Sequence, residues 1–128
     1  MISRTKAAEY LADQLVNGNR AEATKAVAYW LKDNGKINEL PYLIKDTTNY
    51  LAENNNYYFV VVTTAKELSS SEQQKIADSI KNKYNIGTIE ALFLVDESLI
   101  GGIKVEFPDG VLDATVRGKL NKLIENIV

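Results

Sequence analysis

The chain has 128 residues, 45% of them apolar and 25% charged, with a formal net charge of −2 and neither cysteine nor histidine. That length supports one ordinary domain, or one domain with a small helical appendage, and enough core to fold without disulfides or metal. The missing residue types exclude thiol chemistry and remove both the commonest general base and the commonest metal ligand.

Charge is evenly spread. Residues 1–56 carry seven basic and seven acidic side chains, and residues 57–128 carry eight and ten, so no stretch would draw in a phosphate backbone. Met1 to Lys6 has no apolar core behind it, which argues against a signal peptide. The longest strand-like apolar run, Tyr57 to Val62, is far too short to span a membrane, so a soluble, cytoplasmic protein is expected.

Helical spacing begins at once. Ala7, Ala8, Leu11 and Leu15 predict a helix over about 3–17, with Ser3 as N-cap and Asn17-Gly18 as the stop. Ala23, Val27, Trp30 and Leu31 predict a second from about Arg20 to Asn34, with Trp30 as a core plug. Leu40, Ile44, Thr47 and Leu51 predict a third from about Asn38 to Glu53, with Pro41 in its first turn. Short connections make the three antiparallel neighbours. Glu53 to Asn56 is polar and turn-prone, and is read as the link between a unit at 1–56 and one at 57–128.

The period then changes. Tyr57 to Thr64 is β-branched and aromatic, a strand buried on both faces or nearly so. Ser69 and Glu72 form a capping box for a helix to about Tyr84 that buries Ile76, Ile80 and Tyr84. A strand at about Ile89 to Val95 follows, and strand–helix–strand implies a parallel pair. The short turn at Asp96–Gly101 is expected to pair the third strand antiparallel to the second. Gly101-Gly102, where that strand begins, call for positive φ, a bulge or a close backbone approach. Pro108-Asp109-Gly110 turns into a short strand at Val111-Leu112. Asp113 and Thr115 offer N-caps for a last helix to about Ile127, with Val116, Leu120, Leu123, Ile124 and Ile127 facing inward. The fold class is α+β: a three-helix unit, then a small mixed sheet flanked by two helices in the order β-α-β-β-β-α.

Asp96, Glu97, Asp109 and Asp113 could hold Mg²⁺, but turns and caps favour Asp for local hydrogen bonding, and that reading weighs more. Ser98 lacks a base of the usual kind. Tyr57, Tyr58 and Phe59 could stack on bases, but the acidic balance argues against a nucleic-acid module. No catalytic, cofactor or metal site is therefore expected.

Several stretches taken together resemble a known family. They are Val61-Val62-Thr63-Thr64-Ala65, Leu68-Ser69 with Glu72-Gln73, Val95 through Ile103, and Asp113-x-Thr115-Val116-Arg117-x-x-Leu120. In order and spacing this is similar to the C-terminal half of the δ subunit of F-type ATP synthase, called OSCP in mitochondria. Gly101, Gly102, Asp113, Thr115 and Arg117 are the structural signature, with Thr115 where the family usually has Ser. The resemblance implies a non-catalytic subunit without cofactor, peripheral to the cell membrane as part of a membrane complex and not a homo-oligomer there. It implies that an N-terminal helical domain grips the α subunits of F1, while the C-terminal part meets the stator b subunits. Residues 1–56 are about half the family's six-helix domain, so any groove should be shallow. Its face is expected among Tyr10, Val16 and Tyr50 on the first and third helices. The other reading is a generic α+β interaction domain outside any rotary complex.

Overall fold

The computed structural model describes residues 3–34, 37–118 and 120–121. The chain divides into two compact units, residues 1–57 and 58–128. Helices come first and a four-stranded mixed sheet with flanking helices follows, an α+β architecture.

The first unit contains α1 (Arg4–Val16), α2 (Arg20–Asn34), a 3₁₀ turn (Ile37–Glu39) and α3 (Leu40–Asn55). Ser3 caps α1 by accepting from the Lys6 N–H. Gly18, with φ +77°, turns the chain out of it. Helix α1 packs on both α2 and α3. The core joins Ala7, Ala8, Leu11, Ala23, Trp30 and Leu43, with Leu15, Val27 and Leu31 against it. Trp30 is a core plug, as its phase predicts.

On α3 the expected stripe is off by one residue. Leu43, Thr47 and Leu51 are buried, while Ile44 is 53% exposed. Thr47 and Leu51 fit either phase, and Leu43 rather than Ile44 completes the buried row at i, i+4, i+8. The Thr47 hydroxyl enters the core because it donates to the Leu43 carbonyl at 2.8 Å. The polar link is also shorter than expected. Helix persists through Asn55, and Asn56 alone ends it in the left-handed conformation, where Asn is tolerated.

Strand β1 (Tyr57–Thr64) opens at the border residue Tyr57, and the second unit continues with α4 (Ser70–Lys83), β2 (Thr88–Val95), a 3₁₀ turn (Glu97–Leu99), β3 (Gly102–Phe107) and β4 (Gly110–Thr115). The capping box forms with both halves: Glu72 N–H donates to Ser69 Oγ and Ser69 N–H to Glu72 Oε1, each at 3.2 Å. Ser69→Ala is expected to cost about 1 kcal/mol, read as a lower denaturation midpoint. A loss no larger than that of Ser70→Ala would contradict the cap. Tyr84 is 43% exposed, not buried, because α4 ends before it, but its ring meets Phe107 edge-on at 5.0 Å.

Strand order is β2-β1-β3-β4. The third strand therefore does not pair with the second; it pairs antiparallel with β1, with Val62 opposite Val105 and Thr64 opposite Ile103. Residues 96–101 cross the end of β1, and the Asp96 N–H donates to the Thr64 carbonyl there at 2.9 Å. Six residues easily cover the roughly 10 Å of two strand spacings, so a short turn does not force neighbouring strands.

Strand β1 is buried on alternate residues only. Val60 and Val62 enter the core with Ile80, Ile86 and Val105 and Thr64 is buried, while Tyr57, Phe59, Val61 and Thr63 are half-buried. Strand β4 is longer than expected and takes in Asp113 and Thr115. The chain is helical at 116–118 and 120–121. Val116 and Leu120 are 41% and 45% exposed rather than inward; Leu123, Ile124 and Ile127 lie outside the described residues.

Candidate functional site

Two places bring the singled-out residues together. The first is the end of the sheet where the chain leaves β2, enters β3 and leaves β4. Gly102 has φ +81°, and a Cβ there would lie 2.3 Å from the Ala114 carbonyl oxygen and 2.9 Å from Thr115 Cα. Positive φ and close approach thus coincide at this one glycine. Its neighbour Gly101 accepts from the Val116 N–H at 3.1 Å.

Two Asp-x-hydroxyl turns lock this corner. Asp96 Oδ1 accepts from the Ser98 N–H at 3.0 Å and from its hydroxyl at 2.7 Å. Asp113 Oδ1 accepts from the Thr115 N–H at 3.1 Å and from its hydroxyl at 2.6 Å. Each hydroxyl then accepts in turn. Arg117 Nη1 donates to Ser98 Oγ at 2.6 Å and stands 3.7 Å from Asp96 Oδ2. The Gly118 N–H donates to Thr115 Oγ1 at 2.9 Å, so fully buried Thr115 is the N-cap of the last helix. Asp113 does not cap that helix; it orients the residue that does. Arg117 ties the β2–β3 turn to the helix start.

The electrostatics follow from these bonds. Hydrogen bonds from the Ser98 hydroxyl and N–H hold Asp96 below the usual carboxylate range, and those of Thr115 do the same for Asp113. Donation from the Ser69 N–H lowers Glu72 likewise. A carboxylate with a lowered pKa is a poor general base near neutrality. Among the described residues no group of three acidic side chains is placed to hold a metal ion. Because folding depresses these carboxylates, their contribution is complete above the ordinary Asp and Glu values and is lost as pH falls through the depressed ones. Acid titration of stability should therefore be flatter in Asp96→Asn and Asp113→Asn than in the parent; an unchanged acid limb would contradict the bonds.

Sequence reasoning did not give Ser98 and Gly118 a part in this corner. The signal was present: Asp96-x-Ser98 and Asp113-x-Thr115 repeat one Asx-turn spacing. Ile100, 64% exposed at φ +72°, had no such signal, since β-branched residues rarely adopt that conformation.

The second place is an open groove of about 330 Å³ in the helical unit, lined by Arg4, Thr5, Ala8 and Glu9 of α1 and by Asp46, Asn49, Tyr50 and Glu53 of α3. Arg4 Nε reaches Asp46 Oδ2 at 2.8 Å, and its guanidinium lies 5.4 Å from the Tyr42 ring centre. Of the three expected partner-binding residues, only Tyr50 lines the groove. Tyr10 and Val16 are 49% and 44% exposed on α1 outside it.

A family model described as ATP synthase delta (OSCP) subunit matches residues 1–127. The chain is 30% identical over 122 residues to ATP synthase subunit delta of Bacillus cereus (strain B4264), covering 95% of this chain and 67% of that one. It is 35% identical over 102 residues to ATP synthase subunit delta of Marinobacter nauticus, covering 80% and 57%. The matches span between 30% and 67% of the length of such curated relatives. The fold is similar to a chain in the Toxoplasma gondii mitochondrial ATP synthase hexamer, with a TM-score of 0.60, 16% identity, and coverage of 98% of this chain and 71% of that one.

Proposed function

The chain belongs to the ATP synthase delta (OSCP) subunit family, and from that premise we propose that it is a non-catalytic link in the peripheral stalk. In this reading the helical unit holds the N-termini of the F1 α subunits and the α/β unit holds the stator b subunits. The observation that carries the reading is the division into two compact units, each with a core of its own. A link needs two separate contact surfaces, and two independently packed units supply them on one chain. The hydrogen-bonded corner supports it too, since its polar groups are spent on holding backbone. No helix among the described residues is long and apolar enough to cross a membrane, in keeping with a subunit peripheral to the membrane part of the complex.

The test is simultaneous occupancy. Full-length chain is mixed with F1 lacking its δ subunit and with the soluble part of b, and the mixture is resolved by sedimentation. One species containing all three is expected. Competition between F1 and b for the chain, or binding of neither, would contradict the link. A triple Tyr10→Ser, Val16→Ser, Tyr50→Ser variant should lose affinity for F1 and keep it for b; unchanged affinity for F1 would reject that face.

A further inference from the structure

Two asparagines of the chain precede a glycine, Asn17 and Asn34. Gly35 lies outside the described residues, whereas Asn17-Gly18 stands at the exposed turn between α1 and α2. Such a pair has chemistry of its own. The glycine backbone nitrogen can attack the asparagine side-chain carbonyl carbon, because no Cβ on the glycine hinders the approach. A bond forms from Gly18 N to Asn17 Cγ, and the bond from Cγ to the side-chain nitrogen breaks. The proton of the Gly18 N–H leaves with that nitrogen as ammonia. Water then opens the five-membered succinimide at one carbonyl or the other, giving aspartate or isoaspartate.

The fold opposes the first step in two ways. Ring closure needs the Gly18 nitrogen turned to the Cβ side of the Asn17 Cα–C bond. At ψ 3° it is instead eclipsed with the Asn17 nitrogen, a third of a turn away. The Gly18 N–H is also engaged, donating to the Leu15 carbonyl at 3.2 Å, and the Asn19 N–H closes the same turn on the Gln14 carbonyl at 2.8 Å. Nothing lies within 4 Å of the Gly18 Cβ position, so these bonds, not packing on the glycine, keep the turn shut.

We propose that Asn17 is a modification site, converted to aspartate and isoaspartate at a rate set by opening of the α1–α2 turn. Local opening costs less than global unfolding, so conversion proceeds in the folded chain, but slowly. Its products favour the open form. A new carboxylate lies at the negative end of α1, and isoaspartate inserts a main-chain methylene just before Gly18, which shifts the donors of both turn bonds. The modified residue therefore records time with the turn open. The inference is independent of the link reading.

Full-length chain is incubated at neutral pH, folded or unfolded in guanidinium chloride. Conversion of Asn17 is followed by peptide mapping, which resolves it from Asn34. Conversion is expected in both, at least about tenfold slower in the folded chain. Leu15→Ala trims a side chain packed against the core of the helical unit. It should speed conversion under folding conditions and leave the unfolded rate unchanged. Equal folded and unfolded rates in the parent, or no gain in Leu15→Ala, would overturn the gate. Conversion in the unfolded chain alone would mean that the native turn does not open, and no conversion of Asn17 in either would remove the site; both outcomes overturn the proposal.

Discussion

Replacing Gly102 with alanine is expected to be the most damaging single methyl addition in the α/β unit. The added Cβ would sit 2.3 Å from the Ala114 carbonyl oxygen, and the contact is backbone on both sides, so no side chain can swing away. The residue also has φ +81°. Left-handed backbone costs an L-residue roughly 1–2 kcal/mol, and overpacking a tight contact costs about 1–3 kcal/mol. Together these give about 2–5 kcal/mol, a large share of the 5–15 or so that hold a typical domain. Because Gly102 pairs with Thr115 at the end of the β3–β4 ladder, the strain would be relieved by parting the two strands there. Chemical denaturation should show the loss as a lower midpoint. Gly110→Ala is the internal control: nothing lies within 4 Å of its Cβ position and its φ is not positive, so it should shift stability by no more than about 1 kcal/mol. Equal behaviour of the two variants would refute the close approach.

The second large effect is expected at Thr115. Valine has nearly the same shape but no hydroxyl, so Thr115→Val keeps the packing of a fully buried residue and removes two hydrogen bonds. Asp113 is exposed and can turn to water. The half-buried Gly118 N–H loses its acceptor at the first turn of the last helix. Leaving such a donor unsatisfied costs about 1–3 kcal/mol, and losing an N-cap about 1, two descriptions that overlap; about 2 kcal/mol is expected. Thr115→Ser keeps the hydroxyl and should lose less than half as much. If the Val and Ser variants were equally stable, the hydroxyl would have no structural role and the corner would need another explanation.

Local signals read well and long-range ones less so. The Ser69–Glu72 capping box, the Gly18 turn and the Trp30 plug each depend on residues a few positions apart, and each is legible in the chain. The α3 face is not, because Leu43 and Ile44 are adjacent and equally apolar; only the neighbouring helix decides which is covered. Strand order fails for a similar reason. Turn length limits how far β3 can travel from β2, but it does not say whether β3 adds to the open edge of β2 or crosses to the far side of β1. At the corner, the glycines and the Asp-x-Thr turn are visible in sequence, whereas the Arg117–Ser98 bond spans 19 residues and emerges only from the fold. The face expected among Tyr10, Val16 and Tyr50 lies on α1 and α3, and only Tyr50 lines the groove between those helices, since exposure on a helix does not place a side chain at a junction with its neighbour.

The most direct measurement is recovery of the tagged, full-length chain from native membranes, with every accompanying chain identified by mass. The account predicts that F1 α subunits and stator b subunits come with it together. Recovery of the chain with neither of them, or with a set of partners unrelated to the rotary complex, would contradict it.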